Sequence, residues 1–228
     1  MPWPAGRPRI LLFDVNETLT DMSPLAGRLE EVGLPGRLPA AWFAGVLRDG
    51  VALTLAGGHA SSAAVAGDGL RALAADEAGA TDAEQAAAHV LAALPESPLH
   101  SDVPGGVRAL RAAGFRLATL TNGSADTTRA VLDRAGPNDC FDTQLDVTGP
   151  GRWKPARVAY VHALDATGVP AGAALLISVH PWDIDGAARV GLATAWLRLT
   201  ARPYPATARP ADLTVTALPD LAARVAAT

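Results

Sequence analysis

The amino-acid sequence predicts an α/β protein, a doubly wound parallel sheet carrying a small helical segment inserted after its first strand. Three observations lead there. Short apolar runs at residues 10–13, 116–120 and 174–177 each end abruptly in acidic or small polar residues, as strands covered on both faces do when their ends reach a ligand crevice. From Pro104 onward helical and strand patterns alternate, so right-handed crossovers dictate parallel strands. Between the first run and the Asp102-Val103-Pro104 turn, apolar residues recur at helical spacing with no strand signal.

The first element, Ile10-Leu11-Leu12-Phe13, is uniformly apolar and stops at Asp14. Residues 25–94 read as several helices, interrupted at Gly57-Gly58 and Ala78-Gly79. A helix is expected over 105–113, a strand over 116–120, a helix over 126–135 and a strand over 141–147. The alternation continues with a helix at 157–168, a strand at 174–177, a helix at 184–190 and a strand at 194–197. Residues 200–211, rich in Pro and Ala, read as a surface loop, and 213–215 as an edge strand. The expected division is a core of residues 1–21 and 103–228 with a helical insert of 22–102. No internal repeat is present.

A chain of 228 residues accommodates one α/β domain and such an insert. The formal net charge of -4 provides no basic field, which argues against a nucleic-acid partner. Cys140 is the single cysteine and cannot pair within the chain, and no CxxC or His/Cys cluster appears. A reducing cytoplasm is the expected setting. Residues 1–9 are Pro-rich, with only four apolar residues before Asp14, too few for a signal-peptide core. No run reaches the ~18 apolar residues of a membrane span. His59, His89, His100 and His162 show no ligand spacing. The expected partner is a small anionic substrate, with neither nucleic acid nor membrane, and a homodimer is left open.

Four polar clusters fall at the ends of these elements. The first is Asp14 with Asn16, Glu17 and Thr18; the second is Thr121-Asn122-Gly123-Ser124. The third is Trp153-Lys154-Pro155, with Pro155 expected in the first turn of a helix. The fourth is Ser178-Val179-His180-Pro181-Trp182-Asp183-Ile184-Asp185. A doubly wound sheet brings these ends to one edge. An acid nucleophile, an amide donor, a buried cation and a second acid are the groups a covalent mechanism on an anionic substrate needs.

In order and content these clusters resemble the four motifs of the haloacid dehalogenase superfamily, over nearly the whole chain and with its Rossmann-like core. The resemblance implies that Asp14 is a covalent nucleophile, that Thr18 and Ser178 orient it, and that Lys154 neutralises it. By the same resemblance Thr121, Asn122 and the backbone N–H groups near Gly123 cradle a substrate anion. Asp183 would orient Lys154 or the hydrolytic water. The helical insert resembles the cap of the type II, L-2-haloacid dehalogenase branch, and Trp182 would line the site.

The residue two after the nucleophile separates reactions within that superfamily. Phosphatases carry a second Asp there, because a leaving alkoxide must be protonated. Asn16 cannot shuttle a proton, whereas a halide leaving group needs none. The resemblance therefore implies hydrolytic cleavage of a carbon–halogen bond in a short 2-haloalkanoic acid, through an aspartyl ester on Asp14, with no cofactor. Two departures are evident. Phe43 stands after Trp42 where such dehalogenases have an Arg that binds halide and carboxylate, and Arg48 is the candidate to replace it. Asn16-Glu17 and His180 replace an aromatic-Gly pair and an Asn. The rival readings are a Mg²⁺-dependent phosphatase, with Asp14, Asp183 and Asp185 as metal ligands and Asp185 otherwise a helix cap, and a catalytically silent homologue that binds a small acid or a protein. A phosphonate-cleaving relative would need a Lys in the cap, and residues 20–102 contain none.

Overall fold

The computed structural model describes residues 6–77 and 82–226. The expected Ala78-Gly79 interruption and residues 1–5 of the Pro-rich start lie outside these. The strands are β1 (Ile10–Phe13), β2 (Arg116–Thr121), β3 (Thr143–Asp146), β4 (Ala174–Ser178), β5 (Ala193–Leu197) and β6 (Leu213–Val215). They form one sheet in the order β3-β2-β1-β4-β5-β6, with every pairing parallel. The helices are α1 (Leu25–Glu30), α2 (Pro39–Leu55), α3 (Ser62–Asp76), α4 (Ala83–Ala92), α5 (Val103–Ala112), α6 (Ala125–Ala135), α7 (Arg157–Thr167), α8 (Pro181–Val190) and α9 (Leu218–Ala226).

The period of two along a strand sends alternate residues of β1 to opposite faces. Leu11 and Phe13 join Val107 and Leu110 of α5 and Leu221 and Val225 of α9. Ile10 and Leu12 join Tyr160 and Ala163 of α7 and Ala187 of α8. All four β1 residues are fully buried, which explains their unbroken apolarity. The strand order reverses direction between β1 and β4, and that switch point is where an open α/β sheet leaves a crevice at its carboxyl edge.

Helices α1–α4 occupy the stretch between β1 and α5 and bury an apolar cluster of their own, including Leu29, Trp42, Leu70 and Val90. The two strands of chain leading into and out of this layer lie side by side: Asp21 N donates to Pro98 O at 2.8 Å and His100 N to Leu19 O at 2.9 Å. Trp153, Val147 and Ala159 complete the same cluster from the sheet-bearing part of the chain. No described helix is long and apolar enough to cross a membrane.

Several boundaries differ from the sequence reading. Helix α8 starts at Pro181, three residues before the expected Ile184, because Pro at the first helical position loses no hydrogen bond. Asp183 thereby sits in the first turn, and Asp185 is inside the helix, paired with Arg189 at 2.7 Å, not at its cap. Pro155 precedes the residue that caps α7, Ala156, and is not in the helix. Strand β3 is shorter than 141–147, since Phe141 leaves a 3-10 turn and Val147 turns toward the helical layer. Helix α9 has no counterpart in the sequence reading; its Leu218, Leu221 and Val225 are fully buried or nearly so against α5. Residues 200–211 contain neither helix nor strand, as expected.

Candidate active site

Asp14 directly follows β1, and its N–H donates to Ile177 O of β4 at 3.0 Å, which pins it at the switch point. Beyond it the chain closes a tight loop in which Thr18, Leu19 and Thr20 all donate their N–H groups to Val15 O, at 3.1, 2.8 and 3.1 Å. Closing that loop puts Glu17 at φ 62°, the left-handed region where a side chain costs about 1–2 kcal/mol. The loop returns Thr18 beneath Asp14. The Thr18 hydroxyl donates to Asp14 Oδ2 at 2.7 Å and accepts from Val179 N at 3.1 Å, tying the loop after Asp14 to the end of β4.

Lys154 is the one lysine among the 228 residues, and its side chain has no solvent exposure. Its Nζ lies 2.9 Å from Asp14 Oδ1 and 2.7 Å from Asp183 Oδ2, bridging two carboxylates. The backbone on either side is held from two directions. Asn122 Oδ1 accepts from Lys154 N at 2.7 Å while Asn122 Nδ2 donates to Lys154 O at 3.1 Å. Trp153 N donates to Thr54 Oγ1 at 3.0 Å, and its indole N–H to Ala60 O at 3.1 Å. The indole lies against Gly50 of α2 so closely that any side chain there would strike it. Asp183, also without exposure, accepts from the Tyr160 hydroxyl at 2.7 Å on its other oxygen.

Burial would raise the Asp14 carboxyl, but the Lys154 ammonium, His180 and the Thr18 hydroxyl together hold it below the ordinary value. Burial pushes Asp183 above it, against the pull of Lys154. For Lys154, burial is outweighed by its two carboxylates and the ammonium is held more firmly than usual. Burial and the neighbouring Asp183 push the Tyr160 hydroxyl well up, so it is a fixed donor. One cation between two anions leaves the cluster with an ionised Asp14, poorly solvated and oriented, as nucleophilic attack requires.

The remaining expected site residues fall less uniformly. Ser178 is fully buried and its Oγ accepts from His180 N at 3.1 Å, which shapes the turn after β4. Asn122 is engaged with the Lys154 backbone through both its amide oxygen and one N–H, and Thr121 Oγ1 accepts from the Gly123 N–H at 2.8 Å, which leaves the Thr121 hydroxyl hydrogen and the second Asn122 N–H as the donors these residues could offer an anion. His180 Nε2 lies 3.2 Å from Asn16 O, 3.5 Å from Asp14 Oδ2 and 3.8 Å from Glu17 Oε2. Trp182 stacks on His180 with centroids 5.0 Å apart, and its ring centroid is 5.9 Å from Lys154 Nζ. Arg48 is not brought to the site: its side chain is 75% exposed and paired with Asp49 at 2.7 Å, because α2 turns that position outward. Tyr160 was missed. A Tyr on the apolar face of a helix must find a hydrogen-bond partner, and that was the available signal.

Two cavities flank this cluster. A chamber of about 140 Å³ is walled by Trp42, Phe43, Val46 and Leu91 and rimmed by Asn16, Gly123 and Ser124; none of its lining residues is charged. A cleft of about 620 Å³ opens on the other side, where Glu17, Phe43 and His180 face Arg198 and Arg202. Phe43 and Thr20 border both.

A sequence model of haloacid dehalogenase-like hydrolases matches residues 8–191. An (S)-2-haloacid dehalogenase of Pseudomonas sp. (strain YL) is 31% identical over 211 residues, 91% of this chain and 90% of that protein. A solved L-2-haloacid dehalogenase aligns at 27% identity with a TM-score of 0.88, covering 96% of this chain and 99% of the other. The L-2-haloacid dehalogenase of Xanthobacter autotrophicus, at 22% identity and TM-score 0.88 over 96% and 98% of the two chains, shares the fold.

Proposed function

The chain belongs to the haloacid dehalogenase-like hydrolases, and from that premise we propose that it hydrolyses the carbon–halogen bond of short 2-haloalkanoic acids. In this reading Asp14 attacks C2, the halide leaves with the bonding pair, and an aspartyl ester forms. Water then adds to the Asp14 carboxyl carbon, the acyl–oxygen bond breaks, and a 2-hydroxy acid and a proton are released. The observation that carries the reading is the position of Lys154 Nζ, bridging Asp14 and Asp183 with no exposure to solvent. It supplies the positive charge beside a nucleophile whose neighbour, Asn16, has no proton to give a phosphate leaving group. Residues 22–102 act in this reading as a cap, and the chamber beneath Trp42 and Phe43 receives the substrate. A cytoplasmic setting belongs to the same reading, supported by the buried free thiol of Cys140.

The donors do not fit a magnesium ion. Asp14 and Asp183 share Lys154, the second oxygen of Asp183 holds Tyr160, and Asp185 pairs with Arg189. Halide release from (S)-2-chloropropionate is therefore expected to persist in EDTA, with no phosphate release from phosphomonoesters. Inactivation by chelation with recovery on Mg²⁺ would overturn the reading.

The absence of a cation from the chamber sets a second expectation. Phe43→Arg places a guanidinium where halide and carboxylate gather, and a charge-assisted hydrogen bond is worth roughly 1.5–3 kcal/mol, or about ten- to over a hundredfold. The 2-chloropropionate kcat/KM should rise accordingly, whereas Arg48→Ala should leave it unchanged. Loss of activity in Arg48→Ala would show that this Arg reaches the substrate.

A further inference from the structure

We propose that the large cleft is a subsite for a second, distal carboxylate, so that the substrates this chain handles best are 2-halo dicarboxylic acids; this rests on the dehalogenase reading above and leaves the chemistry at Asp14 as described. Two arginines mark the subsite. Arg198 and Arg202 line the cleft, and among the described residues neither side chain has an acid partner, whereas Arg28, Arg71, Arg116 and Arg189 each sit in an ion pair.

The loop that carries these two cations is fixed along its course. Residues 198–212 join β5 to β6 without helix or strand, and so long a loop in a compact domain is usually either functional or disordered. Arg198 N donates to Val215 O at 2.8 Å, the Tyr204 ring meets Trp196 edge-on with centroids 5.0 Å apart, and the Tyr204 hydroxyl donates to Arg209 O at 2.7 Å. Arg209 N in turn donates to Asp185 Oδ1 of α8 at 2.9 Å, and Asp212 accepts from Thr194 N at 2.8 Å. Pro203 and Pro205 fix φ on either side of Tyr204. Little ordering is left for a ligand to impose.

Charge is distributed unevenly along the cleft. The order β1-β4-β5 at the sheet edge puts Glu17 and Asp21 of the β1 loop at one end, His180 after β4 in the middle, and the two arginines after β5 at the other end. Strand spacing sets β1 and β5 roughly 10 Å apart. A substrate with C2 at Asp14 and its first carboxylate at the Asn16 and Ser124 rim of the chamber has one direction left for a second charge. Deeper in the chamber no lining residue is charged, and a carboxylate there would lose its water without gaining a cation. The cleft, which shares Phe43 and Thr20 with the chamber, offers Val179, Pro181 and Trp196 to the methylenes and two guanidinium forks beyond them. Glu17 and Asp21 disfavour a doubly charged end, so the distal group is a carboxylate and not a phosphate.

The test is a matched pair of substrates: 2-bromoadipate and 2-bromohexanoate share a chain length and differ in charge at the far end. Wild type should favour the diacid by about tenfold in kcat/KM, with the difference lying in KM, and the preference should shrink as NaCl is raised, because both arginines are exposed. In the Arg198→Gln/Arg202→Gln variant the ratio should fall to near one. The ratio is taken within one protein, so a folding defect cancels from it. Adipate should inhibit wild type about fivefold more strongly than hexanoate, and the variant should lose that difference. A wild-type ratio near one, an equal fall for both substrates in the variant, or activity on (S)-2-chloropropionate but on neither longer acid would overturn the subsite alone. A wild type that releases halide from none of the three would overturn the dehalogenase reading and the subsite with it.

Discussion

Asp14→Asn is expected to abolish halide release, by at least a thousandfold, about 4 kcal/mol of barrier at ~1.4 kcal/mol per tenfold. The amide is nearly isosteric with the carboxylate but is not a nucleophile, and its oxygen can still accept from Thr18 or Lys154, so the fold should be retained. Single-turnover halide measurement with circular dichroism as a control checks this. A loss smaller than tenfold would remove Asp14 from the nucleophile's role.

Lys154→Met should cost both activity and stability. Removing the ammonium leaves Asp14 and Asp183 facing each other without a cation, and breaking a buried ion pair from one side typically costs about 3–5 kcal/mol. The pH dependence follows from Asp14, which is held below its unfolded value by Lys154, His180 and Thr18 despite burial. Its contribution is complete above the unfolded carboxylate value near 4 and is lost as pH falls through the lower folded one. In the variant that pull is gone, so Asp14 or Asp183 takes up a proton more readily and the deficit should shrink on acidification. Urea unfolding of both proteins at pH 7 and pH 5 measures this; an equal deficit at both values would show that the lost energy is packing, not charge.

Much of this architecture is legible in the sequence because burial on both faces demands it. The apolar stretch before Asp14 could be little other than a central parallel strand, and three such stretches ending in polar residues already imply a common edge. What resisted reading depends on partners distant in sequence. The part Asn122 plays in holding the Lys154 backbone, 32 residues away, through both its amide atoms is one such contact. Arg48 and Phe43 differ by five positions on α2, and only the helix orientation decides which faces the chamber. Helix α9 is a different case: its Leu218, Leu221, Ala222 and Val225 recur at helical spacing and bury one face, a local signal the sequence reading passed over because the helix is short and carries Pro219 in its first turn.

The solitary, sheltered lysine is also a reporter. Amine-acylating reagents find no other ε-amine in the 228 residues, and this one is closed to solvent between two carboxylates. Its acylation can proceed only when the segment around Trp153 and Lys154 opens. The rate of that single modification, followed by peptide mass, is thus a clock for local opening at the active site, read without a dye, a label or an added residue.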